Sequence, residues 1–528
     1  MKRLISLLAV VLLSFTMFIG FDADAAKASS ISDSENYTIG NTQYGTITSE
    51  SGNWGMKKYY KFTLSESGCI EIKGSAYMEG VELYIYDANA EELWDERYYW
   101  NSTSEVITLD EEKYIASGTY YLCFSKLGEY YGNYNFNINF TSSNESFKER
   151  NGGSNNSLTS ADVVSVDGTK YNAQIALNDE KDFWKFTLNQ SGCVKFDATF
   201  YNMRRVAIVL YDNYGNEINS STEYWNDTTN EITFSKELNL TAGTYYVSAS
   251  RENDYGQYDF SFDFTSAGET YPETNGGTNN TLAQASLMNL GQTYKGQIAL
   301  NDKKDFYKFE LTHSKPMMIK FESLMERAYI HLYNSSGEEI NVDSLYSDSV
   351  TQKITYNKII KLTAGTYYLA IEEDNREGNY TIQVVEVTQN NCPHDNYNTE
   401  WHDATYFERG YCVYTCEVCG YTYKGDYSDK LMLGQGNIYK YSSSAGKGWI
   451  KPEWSSDWNA SGYQVRYCKK SSMQGAVVKN IKSYKQTTVT IKKLSRKKKY
   501  YVQVRAYKKS GGKVVYGKWS SKVCLKTQ

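Results

Sequence analysis

The sequence predicts an all-β protein: three tandem β-sandwiches, a small Cys/His connector and a further β-sandwich near the C-terminal end. A Gly-Thr-Tyr-Tyr stretch begins at Gly118, Gly243 and Gly365, and these spacings of 125 and 122 residues are the size of a domain. Apolar and polar residues alternate around each copy, and no helical periodicity interrupts them. Four prolines and 50 tyrosines among 528 residues indicate ordered, β-rich modules.

Residues 1–25 have the pattern of a secretory signal peptide. A positive start at Lys2 and Arg3 precedes an apolar run, Leu4–Phe21, and a small-x-small cleavage site ends at Ala25. The alternative is a retained membrane anchor, because the apolar run is long enough to span a bilayer. We expect the mature chain outside the cell, with a membrane contact only if this segment is retained.

Each repeat carries its predicted strands in the same order. After each Gly-Thr-Tyr-Tyr strand, a Gly-x-Tyr signal at Gly132, Gly256 and Gly378 opens a second alternating run. The glycine between the two runs predicts a hairpin. Earlier in the repeat, residues 207–216 predict a strand, a turn and a strand, and the natural product of this order is two packed antiparallel sheets.

The order of these motifs resembles the bacterial pre-peptidase C-terminal domain, a jelly-roll-like β-sandwich of secreted proteins. Its marks are an Asp-x-x-Asp-aromatic start, an Asp-x-x-Gly turn and the Gly-Thr-Tyr-Tyr and Gly-x-Tyr pair. The resemblance covers about residues 34 to 388 and implies sandwiches at 34–142, 152–266 and 275–388. In the first copy, residues 55–60 stand in place of the paired aspartates.

Some members of that family bind calcium or an extracellular polymer such as collagen. The resemblance therefore implies oxygen ligands for calcium, supported by the Asn-rich segments 151–156 and 275–280. The alternative is that these acids end turns and stay solvated, because the spacing of an EF-hand is absent. The candidate calcium ligands are Asp179, Asp182, Asp302 and Asp305.

Two aromatic pairs align between the first and second repeats, Tyr99 with Trp100 and Tyr224 with Trp225. Neighbouring residues on a strand face opposite sides, so one ring of each pair is expected to face outward. Exposed flat rings suit stacking on sugars or on apolar peptide. The alternative is that both rings cover the end of the sandwich.

Nine cysteines, an odd number, are a poor basis for a disulfide framework. One interpretation is a cross-strand bond between Cys69 and Cys123, and the other is that the cysteines are isolated thiols.

A CxH and CxxCG pattern lies within 390–426. It predicts a tetrahedral structural zinc site, with a disulfide as the alternative. The segment resembles small zinc-ribbon-like modules of secreted bacterial proteins. The predicted ligands are Cys392, His394, Cys416 and Cys419, with His402 and Cys412 as spares.

Residues 446–528 resemble a bacterial fibronectin type III domain, which implies an immunoglobulin-like β-sandwich. Trp454 occupies the early-strand Trp position, 462–467 form the third strand, and Leu494 precedes an alternation that begins at Tyr500. This segment contains 21 Lys and Arg but two acids, whereas the rest of the chain contains 35 basic and 60 acidic residues.

A surplus of 19 positive charges predicts binding to a cell-wall polyanion such as teichoic acid, an anionic polysaccharide or a bilayer surface. A solvated surface is the alternative. Nucleic acid is not an expected partner outside the cell. The predicted polyanion-binding residues are Lys492, Lys493, Arg496, Lys497, Lys498 and Lys499.

The sequence contains four histidines and no HExxH, GxSxG or glycine-rich phosphate loop, although carboxylate-only glycosidase chemistry has no motif to exclude it. We therefore predict a secreted, monomeric, non-catalytic binding or adhesion protein of the bacterial cell surface. Its expected partner is an extracellular polysaccharide or a matrix protein. The alternative is an accessory or degenerate component of an extracellular hydrolase, either a protease or a glycosidase.

Overall fold

The computed structural model describes residues 31–48, 56–100, 103, 105–149, 153–252, 254–374 and 376–528. The predicted signal peptide lies outside these residues. Within them the regular structure is β, apart from two short 3-10 turns at Ile31–Asp33 and Leu282–Gln284. The chain divides into two compact units between Glu386 and Val387.

The first sandwich packs a five-stranded sheet on a four-stranded sheet. Its strands are β1 (Glu35–Asn36), β2 (Thr42–Ile47), β3 (Lys57–Leu64), β4 (Gly68–Tyr77), β5 (Gly80–Tyr86), β6 (Glu92–Tyr99), β7 (Ile107–Ile115), β8 (Gly118–Lys126) and β9 (Gly132–Ser142). The sheet orders are β1-β3-β8-β5-β6 and β2-β9-β4-β7. One apolar cluster, with residues from both sheets, fills the space between them.

The second sandwich repeats this design. Its strands are β10 (Asp162–Val163), β11 (Asp167–Ile175), β12 (Lys181–Leu188), β13 (Gly192–Tyr201), β14 (Arg205–Tyr211), β15 (Glu217–Tyr224), β16 (Glu231–Leu240), β17 (Gly243–Arg251) and β18 (Gly256–Ser266). The sheet orders, β10-β12-β17-β14-β15 and β11-β18-β13-β16, match those of the first sandwich strand for strand.

The third sandwich has the same topology again. Its strands are β19 (Ser286–Leu287), β20 (Thr293–Ile298), β21 (Lys304–Leu311), β22 (Lys315–Ser323), β23 (Arg327–Tyr333), β24 (Glu339–Tyr346), β25 (Ile354–Leu362), β26 (Gly365–Glu373) and β27 (Gly378–Glu386). The sheet orders are β19-β21-β26-β23-β24 and β20-β27-β22-β25.

The repeated Gly-Thr-Tyr-Tyr strand lies inside its sheet, as the alternation predicts. In β17, Tyr245 and Val247 are buried in the core of the second sandwich and face the other layer. The predicted hairpin is wrong, however, because β17 and β18 belong to opposite sheets. Both strands bury an apolar face, and in a sandwich these faces meet across the core. The chain therefore passes from one layer to the other between the end of β17 at Arg251 and the start of β18 at Gly256.

The second unit contains a small three-stranded sheet and a larger sandwich. Its strands are β28 (Tyr397–His402), β29 (Gly410–Cys416), β30 (Thr422–Ser428), β31 (Ser444–Gly446), β32 (Trp449–Lys451), β33 (Gly462–Cys468), β34 (Val477–Ile481), β35 (Lys499–Ser510), β36 (Lys513–Tyr516) and β37 (Val523–Lys526). Strands β28, β29 and β30 form the connector, β31 pairs with β32, and β35 lies at the centre of the remaining sheet. Trp454, Leu433 and Ile438 belong to the core of this sandwich, so that core includes residues before position 446.

All nine cysteines are free thiols. The cross-strand bond between Cys69 and Cys123 is wrong, because Cys69 lies on β4 in the four-stranded sheet and Cys123 on β8 in the five-stranded sheet. The two residues therefore do not share a strand pair.

Candidate metal centres and binding surfaces

Two clusters of buried carboxylates lie at the start of the second and third sandwiches. In each cluster, one oxygen from every member lies within 4.8 Å of the others. The four aspartates are at most 1% exposed, so the solvated alternative for them is wrong. The clusters are Glu149 with Asp179 and Asp182, and Glu273 with Asp302 and Asp305.

The carboxylates in each cluster face one another with few donors. In the second sandwich, Tyr258 donates a 2.5 Å hydrogen bond to Oδ2 of Asp182. Oδ1 of Asp182 and both oxygens of Asp179 have no hydrogen-bond partner within the described residues. Burial, and then the charge of Asp179, raise the pKa of Asp182 well above its usual range. The third sandwich repeats this pattern. Because buried charges need partners, the arrangement suits a cation with oxygen ligands, such as Ca²⁺.

A glycine lies against each cluster. Gly153 and Gly277 have φ values of +89° and +91°, which an L side chain rarely adopts. A Cβ atom there would lie 2.5 Å from Asp179 Oδ1 and 2.4 Å from Asp302 Oδ2, respectively. The predicted Asn-rich segments therefore do meet the aspartates, at their second glycine.

Each cluster lies at the junction between consecutive sandwiches. The carbonyl of Glu273 accepts hydrogen bonds from Ala242 N at 3.1 Å and Ser191 Oγ at 3.3 Å in the second sandwich, while its carboxylate meets the aspartates of the third. At the preceding junction, Leu177 packs into the core of the first sandwich. Asn178 Nδ2 donates a 3.0 Å hydrogen bond to the hydroxyl of Tyr120. In the linker of that junction, the carbonyl of Glu149 accepts a hydrogen bond from Ser117 Oγ of the first sandwich. A cation in either cluster would therefore join a linker held by one sandwich to the next sandwich.

The described residues of the first sandwich contain no such cluster. Tyr60 stands near the position of the missing acids, and its hydroxyl lies 2.8 Å from that of Tyr134. The third sandwich, which does contain an acid cluster, has the same pair in Tyr307 and Tyr380 at 2.8 Å, so the tyrosine pair does not replace the acids.

The four predicted zinc ligands come together in the connector. Their ligand atoms all lie within 4.8 Å of one another, and the Sγ atoms of Cys392 and Cys416 are 3.7 Å apart. Two sulfurs on a tetrahedral zinc with bonds of about 2.3 Å lie about 3.8 Å apart, whereas a disulfide holds them at about 2.05 Å. His394 Nε2 is buried with no partner in the described residues. The site therefore has the spacing of a metal centre.

Local backbone geometry prepares this centre. Backbone N–H groups of Cys419 and Val418 point to the sulfur of Cys416 and lower the pKa of its thiol. The ring of His394 stacks on Tyr421 with the centroids 4.9 Å apart. The two spare ligands are not in the cluster: His402 stacks on Tyr411, and Cys412 is buried on β29.

The aromatic pairs divide between surface and core. Tyr99 and Tyr224 are 64% and 65% exposed, whereas Trp100 and Trp225 are half-buried and pack against the cores of their sandwiches. Tyr346 ends β24 as Tyr99 and Tyr224 end β6 and β15, and it is 64% exposed. The Tyr-Trp pattern does not predict Tyr346, because Ser347 follows it where the other repeats have Trp. Its distance of 122 residues from Tyr224 nevertheless matches the length of the repeat.

Arginine side chains support two of these exposed rings. The guanidinium of Arg205 lies 5.3 Å from the ring centre of Tyr224, and that of Arg327 lies 4.8 Å from the ring centre of Tyr346. Such contacts hold a ring in one orientation.

The predicted basic loop at 492–499 is exposed and joins β35 at its first residue. Residues 446–528 are all described, and no Lys or Arg among them forms an ion pair with a carboxylate. Their positive charge is therefore uncompensated by local acids.

Residues 440–522 match the family model of the fibronectin type III domain. The C-terminal sandwich is a fibronectin type III domain. The predicted all-β fold class is confirmed as well.

Two solved structures show similarity to parts of the chain. One is the pre-peptidase C-terminal domain of a collagenase from Bacillus anthracis, with 24% identity and a TM-score of 0.17 over 20% of this chain and 99% of that chain. The other is a β-1,2-glucanase from Parabacteroides distasonis, with 11% identity and a TM-score of 0.15 over 45% of this chain and 31% of that chain.

Within the described residues, no helix has the length and the apolar character needed to cross a membrane. The three repeated sandwiches and the fibronectin type III domain fit a modular binding or accessory protein.

Glu149 and Glu273 are not among the ligands predicted from the sequence, although the sequence contains a signal for them. The two residues are 124 apart, and one residue separates each of them from an Asn-Gly-Gly segment. The Asp-x-x-Asp motif predicts only the two aspartates of each cluster. The third carboxylate comes from the linker before the sandwich, which lies outside that motif.

Proposed function

We propose that this chain is a secreted, non-catalytic binding protein whose sandwiches recognise an extracellular polysaccharide or a matrix protein. The observation that carries this proposal is the exposed tyrosine at the end of the same edge strand in all three repeats: Tyr99, Tyr224 and Tyr346. Weak sites repeated along one chain raise the overall affinity by multivalency.

The proposed absence of catalysis rests on how the histidines are used. His394 belongs to the metal cluster. His331 lies between Glu339 and Glu372 on an outer sheet face, and His313 contacts the hydroxyl of Thr312. Among the described residues outside the metal cluster, no histidine is hydrogen-bonded to a Ser or Cys side chain, the pairing that Ser- and Cys-dependent hydrolases use. The cysteines beside His394 would be occupied as metal ligands. An accessory role beside a separate hydrolase is the second candidate, because the modules would then deliver an enzyme to its polymer.

The two acid clusters are proposed to bind Ca²⁺. Support comes from buried carboxylate oxygens that lack hydrogen-bond partners and from the close approach of Gly153 and Gly277. The bound ions would stiffen the junctions between sandwiches and so present the three tyrosines in a constant arrangement.

The connector is proposed to hold a structural Zn²⁺ through Cys392, His394, Cys416 and Cys419. Four protein ligands leave no open position, so the metal would stabilise and not catalyse. The sulfur spacing of 3.7 Å supports this over a disulfide. Metal analysis of the purified chain checks it: zinc at one per chain supports the site, and a mass lower by two hydrogens without metal favours the disulfide.

Tyrosine substitutions test the main proposal. The full chain and a Tyr99→Ala, Tyr224→Ala, Tyr346→Ala variant would be applied with CaCl₂ to arrays of polysaccharides and matrix proteins. Loss of binding by at least tenfold is expected. The control is Tyr44→Ala with Tyr214→Ala, which removes tyrosines that are equally exposed elsewhere.

Two results would count against the proposal. Equal binding by the tyrosine variant and the control would remove the edge tyrosines from recognition. Cleavage of a bound polymer by the purified chain would contradict the non-catalytic assignment. The tryptophans are left intact in this design because Trp100 and Trp225 support the cores.

A further inference from the structure

Three segments that are distant in sequence meet at one end of the fibronectin type III domain: 455–461, 482–486 and the β35–β36 hairpin. The hydroxyl of Tyr463 accepts a 2.6 Å hydrogen bond from Asp457 N and donates a 3.1 Å hydrogen bond to Tyr484 O, which joins the first two segments. Lys509 N donates to Ser461 Oγ at 3.0 Å, which joins the first segment to the hairpin.

This end of the domain exposes an indole among cations. Trp458 is 79% exposed, and Tyr484, in the segment that Tyr463 joins to that of Trp458, is 36% exposed. The three joined segments also carry four exposed cations, Lys482, Lys485, Lys509 and Lys513. We call Trp458, Tyr484 and these four lysines the basic-aromatic end.

The one acid in the three segments, Asp457, forms no ion pair with these lysines. Asp457 accepts hydrogen bonds from Gly434 N at 3.0 Å and Asn459 N at 2.9 Å, so its carboxylate serves the loop backbone. No ion pair involves a lysine of residues 446–528, a range that is described throughout. With four lysines against one carboxylate, the basic-aromatic end therefore keeps a net positive charge.

The basic-aromatic end is separate from the predicted basic loop at 492–499. That loop joins the first residue of β35, Lys499, whereas the basic-aromatic end surrounds its last residues, up to Ser510. A strand rises about 3.3 Å per residue, so the two regions lie roughly 35 Å apart along β35.

We propose that the basic-aromatic end binds an anionic polysaccharide. The lysines would pair with its acidic groups, and the indole of Trp458 would stack on the apolar face of a sugar ring. Lysines alone would serve any polyanion, but an exposed flat ring placed among them matches a polymer that carries both acidic groups and rings. The inference rests on the proposed extracellular location and otherwise goes beyond the proposed function, because it needs no contact with the three sandwiches.

Charge-matched variants of the full chain test this assignment. The probes are heparin, alginate and hyaluronan, with polyphosphate, a neutral glucan and phosphatidylglycerol vesicles for comparison. The test variants are Trp458→Ala and the triple Lys482→Ala, Lys485→Ala, Lys509→Ala. The control triple, Lys497→Ala, Lys498→Ala, Lys499→Ala, removes the same charge from the other end. Unchanged melting temperatures establish that all variants are folded.

We expect at least one anionic polysaccharide to bind more tightly than polyphosphate. Trp458→Ala should weaken that binding about tenfold, in line with the loss of one ring stack. The test triple should weaken it and reduce its dependence on salt. The control triple removes predicted polyanion-binding residues at the other end, and it should weaken the binding less than the test triple does.

The opposing outcomes are distinct. Unchanged affinity in Trp458→Ala, or preferential binding to vesicles, would overturn the basic-aromatic end as a glycan site. A loss confined to the control triple would overturn it in favour of the predicted loop. Absence of binding to every anionic probe would overturn both polyanion assignments while leaving the sandwich proposal to its own tyrosine test.

Discussion

Replacing one aspartate in each acid cluster should make the metal-free protein more stable and abolish its response to calcium. The change is Asp182→Asn with Asp305→Asn, which keeps the size of each side chain and an oxygen that can accept from Tyr258 or Tyr380. Each substitution removes one of three carboxylates whose oxygens lie within 4.8 Å of one another.

The magnitude follows from those distances. Two unit charges 4.8 Å apart repel by about 3.5 kcal/mol at an effective dielectric constant of about 20. Full ionisation of three carboxylates would thus cost about 10 kcal/mol per cluster, which proton uptake or a cation must relieve. Calcium at about 100 times its Kd adds about 2.7 kcal/mol of stability. For a sandwich of this size that is a rise in Tm of about 10 °C.

Calorimetry of the full chain in EDTA and in CaCl₂ measures the shift, and hydrogen exchange with mass spectrometry locates it. In the wild type, calcium should protect peptides of the second and third sandwiches. The first sandwich, whose described residues contain no acid cluster, is the internal control. The reasoning is refuted if the double variant melts lower than the wild type in EDTA, or if it keeps the calcium shift.

Four further predictions follow from the same structure. In EDTA, the free energy of unfolding should fall as pH rises from about 4.5 to 7. Burial raises the pKa of Glu145 to about 7, so in this range the folded state binds more protons than the unfolded state. Urea titrations across this range measure whether the free energy of unfolding falls. Gly277→Ala should destabilise the third sandwich by about 1–3 kcal/mol and weaken calcium binding, as its Cβ would lie 2.4 Å from Asp302 Oδ2; calorimetry with added CaCl₂ measures both effects. Leu177→Ala should cost about 2–5 kcal/mol in the first sandwich, whose core it completes; hydrogen exchange there would show no change if the junction contact were unimportant. Cys416→Ser should reduce bound zinc to near zero in elemental analysis, and full zinc retention would contradict the four-ligand site.

The repeat and the strand order follow from local patterns in the sequence. The alternation at Tyr258, Phe260 and Phe262 predicts a half-buried strand because side chains on a strand alternate between faces. The CxH and CxxCG spacing likewise predicts four ligands on two short turns. These patterns lie within short segments, so they can be recognised in the sequence without knowledge of the fold.

Long-range contacts did not follow from such patterns. The hairpin expected at Gly256 is instead a crossing between sheets, since a turn signal does not specify which layer receives the next strand. In the sequence, Glu149 and Glu273 lie in linkers about 30 residues before the aspartates. Only the folded junctions bring each glutamate against its aspartates. The six basic residues of the predicted loop are close together in the sequence, so the sequence predicts them as a group. Trp458, Tyr484 and Lys509 lie in three separate segments that only the fold joins.

The sequence by itself determined the modules of this protein, their order and the metal-ligand types in the connector, because periodicity and spacing are local properties of the chain. Only the tertiary structure decided which carboxylates share a buried site, which ring of each aromatic pair faces solvent and which distant segments meet at the end of the domain that carries Trp458. Burial and proximity depend on contacts between distant segments, and these contacts form only when the sheets pack.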